Sequence, residues 1–322
     1  MKVVFMGTPD FSVGTLEAIA AAGHEIAGVV TQPDKQKGRG KQVQPTPVKE
    51  AALRLGLPVY QPAKVRDPEF LEVLRELAPD VIVVVAFGQI IPQAILDLPK
   101  YGCVNVHASL LPAYRGAAPI QWAVINGEAE SGVTTMRMDA GLDTGDMLLK
   151  TVVPLDPDET AGSLFDKLSS AGAKLLVETL EKLEQGTIVP EKQPEESTTA
   201  YARMIRKEDG KIDWSRPAAE IERLIRGMDP WPSAFTKLEG KTVKIWKARV
   251  IALIGGGLFE ALPGQDPKKH AGEIWAADET GIHVRTGDGI LLVEELQMEG
   301  KKRMAVQDFL RGHKILPGSK FE

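Results

Sequence analysis

Two periodicities alternate along the first two thirds of the chain. Lys2 to Met6 is a short apolar run that reads as a buried strand. Phe11 to Ala22 then repeats apolar residues at helical spacing, with Phe11, Leu16, Ile19 and Ala20 on one face, and stops at Gly23; Glu25 to Thr31 is the next strand. The result is a βαβ unit. Helical patterns return at Pro47 to Leu55 and Pro68 to Leu77. Val81-Ile82-Val83-Val84-Val85 is a β-branched run of the kind a central parallel strand shows when helices cover both its faces. Further strands are predicted at Gly102 to His107, Gly132 to Met138 and Asp146 to Val153, with a long helix from about Ala161 to Gln185. The order predicts an α/β fold built on a Rossmann-like, doubly wound parallel sheet. No internal repeat is visible.

Behind the long helix the pattern changes. Gly186 to Ser197 is polar, carries Pro190 and Pro194, and runs into Glu195-Glu196-Ser197-Thr198-Thr199, a composition suited to a linker. Beyond it a short helix is predicted at Pro217 to Met228. Strands are predicted near Ala234 to Leu238, Thr242 to Ile251, Gly272 to Ala277, Gly281 to Thr286 and Gly289 to Leu296. About five short strands suggest a small barrel, for which an OB-like β-barrel is one candidate. The expected organisation is a first domain over residues 1–189, a linker over 190–206 and an OB-like domain over 207–322.

Composition narrows the class of protein. A chain of 322 residues with 43% hydrophobic and 26% charged residues sits near globular averages, away from disordered and fibrous chains. The first segment is too short for a signal-peptide core, and no later stretch reaches the ~20 apolar residues that a membrane span needs. The lone Cys103 can form neither an internal disulfide nor a cysteine-cluster metal site, and a reducing cytoplasm fits best. Net charge is −5, yet the acidic excess lies in residues 1–206, and residues 207–322 are close to balanced. Within the acidic part, Asp34 to Lys49 runs the other way, with Lys35, Lys37, Arg39, Lys41 and Lys49 against Asp34 alone. Such a segment can meet a polyanion, or it can be a solvated charged loop; charge alone does not separate the two.

The candidate chemistry lies elsewhere. The first strand-to-helix turn, Gly7-Thr8-Pro9-Asp10-Phe11-Ser12, lacks the G-x-G-x-x-G spacing of a dinucleotide site, and no Walker phosphate loop is present. That turn reads equally as direct substrate contact or as a tight turn with Asp10 capping the helix. In Cys103-Val104-Asn105-Val106-His107-Ala108-Ser109-Leu110-Leu111-Pro112, alternation puts Asn105 and His107 on one face of a strand, their Cα atoms about 6.6 Å apart at ~3.3 Å per residue. The C-terminal end of such a strand is where open α/β sheets bind ligands, although a lone His is more often structural. A second segment, Met138-Asp139-Ala140-Gly141-Leu142-Asp143-Thr144-Gly145-Asp146, is either an Asp- and Gly-rich turn or a loop that places a carboxylate beside the imidazole. An Asn amide, an imidazole and a carboxylate together make an acyl-transfer site without a covalent nucleophile.

Asn105-Val106-His107 with Ser109-Leu110-Leu111-Pro112, followed by Leu142-Asp143-Thr144-Gly145, resembles the folate-dependent formyltransferase family. The resemblance extends over essentially the whole chain and includes Gly7-Thr8-Pro9-Asp10-Phe11, Thr31-Gln32-Pro33-Asp34, Gly38-Arg39-Gly40-Lys41, Tyr114-Arg115-Gly116-Ala117-Ala118-Pro119 and Ile212-Asp213-Trp214. It implies 10-formyltetrahydrofolate as formyl donor, held near Ser109, Leu110, Leu111 and Pro112 and near Phe87, Gly88, Gln89 and Ile90. It implies the amino group of methionine esterified to initiator tRNA as acceptor, with Asn105, His107 and Asp143 catalytic. Amine attack would create an oxyanion stabilised by Asn105 and protonated His107, with Asp143 supporting the imidazole. Residues 1–189 become the catalytic domain and 207–322 the tRNA-binding domain, with Lys35, Lys37, Arg39, Lys41, Lys207 and Lys244 as tRNA contacts. A monomer is expected. So is the absence of a metal, since the five His show no ligand spacing. Trp231, between Pro230 and Pro232, reads as a buried turn aromatic more readily than as a stacking surface. Two other readings stay open: a formyltransferase acting on a small amine, which leaves the rear domain unexplained, and a noncatalytic RNA-binding protein, which makes Asn105, His107 and Asp143 coincidental.

Overall fold

In chain order the first elements are β1 (Lys2–Gly7), α1 (Asp10–Ala21), β2 (Glu25–Val30), β3 (Lys35–Lys37), β4 (Gln42–Gln44), α2 (Pro47–Arg54) and β5 (Val59–Tyr60). Next come α3 (Pro68–Leu77), β6 (Val81–Val85), α4 (Gln93–Leu96), β7 (Cys103–His107), α5 (Pro119–Asn126), β8 (Glu130–Arg137), β9 (Met147–Pro154) and α6 (Ala161–Gln185). The computed structural model describes residues 1–37, 42–251, 267–316 and 318–322. Contacts divide the chain into two compact units. One holds Met1–Pro119, Ala129–Leu155 and Leu164–Arg203; the other holds Ile120–Glu128, Asp156–Ser163 and Met204–Glu322.

The first unit is built on seven strands in the order β5-β2-β1-β6-β7-β8-β9. The five from β5 to β7 are parallel. Every residue of β6 is buried, because helices cover both faces of a parallel sheet. On one face Val4, Met6, Ile82 and Val84 pack with Phe70 and Leu74 of α3 and Ile95 of α4. On the other, α6 lies so close that a Cβ on Gly172 would come within 2.9 Å of Val106 Cγ1, and Phe165 meets Phe11 edge-on at 5.2 Å.

The sheet is mixed where the sequence suggested only parallel strands: β8 runs antiparallel to β7, and β9 to β8. The β8–β9 link, residues 138–146, is too short for a helical crossover, which takes about a dozen residues, so these neighbours must be antiparallel. The chain leaves β1 outward through β2 to β5 and returns to open β6 on the far side of β1. At that reversal the loops leaving the C-terminal ends of β1 and β6 diverge around a crevice, the usual ligand position in open α/β sheets. Side chains span it: Thr8 Oγ1 donates to the Phe87 carbonyl at 2.9 Å, and Ser12 Oγ to the Val85 carbonyl at 2.7 Å. Asp10 does not cap α1. Pro9 holds the cap position, and Asp10 sits in the first turn, where its charge favours the helix dipole.

The basic segment contains a small hairpin that its charge pattern did not announce: β3 and β4 pair antiparallel, Lys35 with Gln44 and Lys37 with Gln42. Its base is tied down. Thr31 and Thr46 share a buried hydroxyl hydrogen bond of 2.7 Å, and Asp34 accepts from Lys49 Nζ at 2.6 Å and from Gln61 Nε2 at 2.7 Å. Those two hydrogen bonds, that of Lys49 first, hold the Asp34 carboxyl below its ordinary value of 3.8.

The second unit adds α7 (Ala218–Gly227), β10 (Ala234–Leu238), β11 (Lys241–Ile251), β12 (Ile274–Asp278), β13 (Gly281–Arg285), β14 (Ile290–Met298), β15 (Met304–Ala305) and α8 (Val306–Gly312). Its strands form an antiparallel sheet in the order β10-β11-β14-β13-β12, with β15 on β14. The C-terminal tail joins the two outer strands. Ser319 O accepts from Ile274 N at 2.7 Å, Phe321 N donates to Gly272 O at 2.8 Å, and Glu322 N donates to Lys237 O at 3.0 Å. Backbone groups that an open edge would leave unpaired are thereby used, as in a small barrel. Phe321 is buried and stacks on Trp214 at 5.4 Å, while Trp214 Nε1 donates to Thr236 Oγ1. Trp231, expected as a buried aromatic, is exposed instead. Among the described residues no helix is long and apolar enough to cross a membrane.

Candidate active site

β7 is held by β6 on one side and β8 on the other, with Asn105 opposite Val84 and Met136, and His107 opposite Thr134. This central position makes the backbone rigid. Alternation then puts Cys103, Asn105 and His107 on one face, with Asn105 the most exposed of the three. Cys103 lies deepest; burial pushes its thiol up to about 12, so it carries no thiolate and is no nucleophile. His107 is 7% exposed. Asn105 is half-buried, and among the described residues its carboxamide has no protein partner, so both N–H groups are available to a ligand.

The turn after β7 fixes the imidazole. Ser109 Oγ donates to Ala113 O at 2.6 Å. Thr134 Oγ1 donates to Ser109 O at 2.7 Å and accepts from Leu111 N at 3.0 Å. Leu111 packs into a small core with Met136 and Met147. The turn ends at Tyr114, held at φ 56°, whose carbonyl lies 3.0 Å from His107 Nε2. A carbonyl can only accept, so Nε2 carries a hydrogen and Nδ1 is the nitrogen left to exchange a proton. Nδ1 faces Asp143 Oδ1 at 3.7 Å, within ion-pair reach and longer than a hydrogen bond.

Asp143 is the acid of its loop that meets the imidazole. Asp139 is occupied in shaping the turn, accepting from Gly141 N at 3.0 Å and from Thr144 Oγ1 at 2.8 Å. Asp143 itself is held at φ 58°, a left-handed conformation uncommon outside glycine. Two contacts hold it directly, and a third holds Gly145 two residues on. Gly116 N donates to Oδ2 at 2.9 Å, Gln193 Nε2 donates to the Asp143 carbonyl at 2.9 Å, and Gln193 Nε2 also donates to Gly145 O at 2.7 Å. Gly145 must be glycine, because a Cβ there would sit 1.8 Å from Arg137 O. Gln193 is anchored in turn by Arg115, whose Nε and Nη2 donate to Oε1 at 3.0 and 2.9 Å. Sequence patterns gave none of Arg115, Gly116 and Gln193 a role at the site. The first two lie in a recognisable run of sequence, but nothing local distinguishes Gln193 from the polar residues around it.

The remaining candidates fall into two groups. Phe87, Ser109 and Leu111 have buried side chains, so they shape the loops after β6 and β7 and leave only backbone for a ligand. Leu110 and Pro112 are half-buried. Gly88 turns the first loop at φ 84°, Gln89 Oε1 accepts from Val65 N at 2.8 Å, and Ile90 is 80% exposed at the crevice end of β6. Of the basic candidates, Lys35 is exposed on β3, Lys37 pairs with Gln42 in the hairpin, and Arg39 and Lys41 lie outside the described residues. In the second unit Lys207 is exposed in a single 3-10 turn. Lys244 Nζ lies 5.6 Å from the Trp246 ring centre, with Arg303 at 5.0 Å from the same ring. Among the described residues no group of three His, Cys, Asp or Glu side chains is placed to hold a metal.

A family model described as formyl transferase matches residues 1–180, and one described as formyl transferase, C-terminal domain, matches residues 204–314. A methionyl-tRNA formyltransferase from Agathobacter rectalis is 58% identical over 321 residues, 100% of this chain and 99% of the relative. One from Geotalea uraniireducens is 53% identical over 99% of this chain and 97% of its own. Among solved structures, the N-formyltransferase of Helicobacter canadensis in complex with folinic acid and dTDP-3-aminofucose superposes with a TM-score of 0.66 at 22% identity, covering 92% of this chain and 99% of that one. A methionyl-tRNA formyltransferase from Clostridium thermocellum gives 0.53 at 18% identity, over 78% and 94%. These two likenesses are of fold. With a rigid Asn–His–Asp edge at the mouth of the sheet and both family models matched along its length, the chain belongs to the formyl transferase family.

Proposed function

We propose that this protein transfers the formyl group of 10-formyltetrahydrofolate to the α-amino group of methionyl initiator tRNA, supplying the formylated initiator for protein synthesis in the cytoplasm. The chemistry rests on one juxtaposition: the Asn105 amide, without a protein partner among the described residues, on the same strand face as a His107 whose Nδ1 faces Asp143. The acceptor rests on the full-length likeness to relatives of that name, which extends over both domains. On this reading residues 1–189 hold the chemistry, 190–206 connect, and 207–322 bind tRNA.

An α-amino group titrates near ~7.7 to 8.0, so a useful fraction is already neutral at physiological pH and little base strength is needed. When that nitrogen adds to the formyl carbon, the carbonyl oxygen becomes an oxyanion. The Asn105 amide donates to it, and His107 donates through Nδ1 when the ring is doubly protonated, since Nε2 is committed to Tyr114. Asp143 balances the charge of that ring and keeps its orientation. The proton lost by the attacking nitrogen has to reach the folate nitrogen that departs, and Nδ1 and Asp143 Oδ1 are the exchanging groups at hand. The residues present suit a flat, partly apolar donor: Ile90 offers an exposed aliphatic face beside the turn at Gly88. Lys35, Lys37, Arg39 and Lys41 from one unit and Lys207 and Lys244 from the other would meet tRNA phosphates, making binding salt-dependent.

The test is formylation of methionyl initiator tRNA with 10-formyltetrahydrofolate, run beside free methionine, glycinamide ribonucleotide and the His107→Ala protein. Transfer selective for the charged tRNA and lost in the variant is expected. Transfer to a small amine alone would refute the acceptor, and a near-normal rate in the variant would refute the site.

A further inference from the structure

The polar stretch behind α6 has the composition of a linker, yet as far as Arg203 it belongs to the first unit and is hydrogen-bonded along the catalytic loops. Ser197 Oγ donates to Pro112 O at 2.6 Å, Thr199 Oγ1 accepts from Tyr114 N at 2.6 Å, and Ala202 exchanges backbone hydrogen bonds with Arg115 and Ala118 at 2.8 and 3.0 Å. Its most buried polar contact is Gln193, only 7% exposed.

The Gln193 carboxamide has two donors and two acceptor sites, and all four are used. Oε1 accepts twice from Arg115; Nε2 donates to Asp143 O and Gly145 O. Its orientation admits no flip, because a guanidinium only donates and carbonyls only accept. Arg115 is itself pinned by the Pro194 carbonyl at 2.7 Å and the Glu195 carbonyl at 3.1 Å, so the clamp closes on the same segment that carries it. What it grips is a loop containing glycine at 141 and 145 and a non-glycine residue at φ 58° in between. Such a conformation persists only when its surroundings over-determine it.

We propose that Gln193 is a positioning residue for formyl transfer: gripped by Arg115, it holds the Asp143 backbone so that the carboxylate faces His107 Nδ1. The segment 191–202 is on this account a strap over the active site as well as a connection. The inference rests on the reading of Asp143 as the partner of the catalytic imidazole. A displacement of about 1 Å at a catalytic group can cost on the order of 10²-fold in rate, so loss of the grip acts on turnover more than on binding.

The experiment compares kcat and both KM values for the full chain, Gln193→Glu, Gln193→Met, Asp143→Asn and the double variant Gln193→Glu/Asp143→Asn, with folding checked by thermal melting. Glu keeps the acceptor for Arg115 and loses both donors; Met loses all four groups. Each should lower kcat by roughly tenfold or more, with KM changed by less than about threefold, and in the Asp143→Asn background the same change should add less than about twofold, because the two residues act as a unit. If neither accumulates folded, Gln193→Asn keeps the groups one methylene short, about 1.5 Å, and its kcat should fall by about threefold or more with the same dependence on Asp143. Near-normal turnover in the folded Gln193 variants, or losses that multiply in the double variant, would overturn the proposal. A near-normal Asp143→Asn protein would instead overturn the reading of Asp143.

Discussion

The loops around His107 and the hairpin around Lys35 both carry polar residues at the edge of the same unit, and they are built in opposite ways. Around His107, Ser109, Thr134, Gly116, Arg115 and Gln193 spend their hydrogen bonds on the protein, and His107 Nδ1 is left facing Asp143. In the hairpin, among the described residues, the base is anchored through Thr31, Thr46, Asp34 and Lys49, while Lys35, Val43 and Gln44 are exposed on its strands. The contrast matches the two tasks that the proposed function assigns. Oxyanion stabilisation depends on donors fixed before charge develops, whereas attraction of phosphate depends on charge and tolerates approximate placement.

The sharpest way to break this comparison is Asn105→Ala. Loss of an oxyanion donor should cost on the order of 10² to 10³ in kcat with little change in KM, read in steady-state formylation; a change confined to KM would make Asn105 a binding residue. Gly145→Ala comes next. The added Cβ must displace Arg137 O or the Asp143 loop, so kcat should fall with stability, the latter by about 1–3 kcal/mol in denaturant unfolding. On the hairpin side, Arg39→Ala and Lys35→Ala should leave kcat near normal, raise KM for tRNA, and reduce the salt slope of binding by about one for each phosphate that a removed cation had neutralised. A kcat loss equal to that of Asn105→Ala would erase the distinction between the two regions.

The smallest effect belongs to Asp34→Asn at the hairpin base. The folded carboxyl lies below its ordinary value, so its contribution is fully present above that ordinary value of 3.8 and is lost as pH falls through the folded one. The variant should therefore be slightly less stable than the parent at pH 7 and at pH 5, and the gap should close below about pH 4 in melting curves. A gap that opened only on acidification would reverse the sign and refute the role given to Lys49 and Gln61.

How much of this could be read in advance varies with the range of the interaction. The strands at Lys2, Val81 and Cys103 and the helix over Ala161–Gln185 were legible because burial imprints a period on neighbouring residues, and the predicted helix has the observed ends. The pairing of Asn105 and His107 was legible for the same reason, since strand alternation is local. The hairpin β3–β4 was not: three residues a side are too few to show a period. Asp10 looked like a cap because helix ends favour Asp, yet Pro9 takes that position. Trp231, between two prolines, reads as a buried turn aromatic and is exposed, because a single aromatic leaves no period that reports burial.

The sequence by itself determined the α/β order, the change to short strands behind α6, and the membership of Asn105 and His107 in one strand face, because each depends on residues close together in the chain. Its motifs also tied Asp143 to them by resemblance. Only the tertiary structure decided that β8 and β9 run antiparallel, that Asp143 and not Asp139 faces Nδ1, that Nε2 is committed to Tyr114, and that Gln193 grips the loop from 50 residues away. Strand direction and side-chain partners are set by chain closure and packing over long separations. A polar residue such as Gln193 reads the same in a solvated linker as in a buried clamp until its four partners are known.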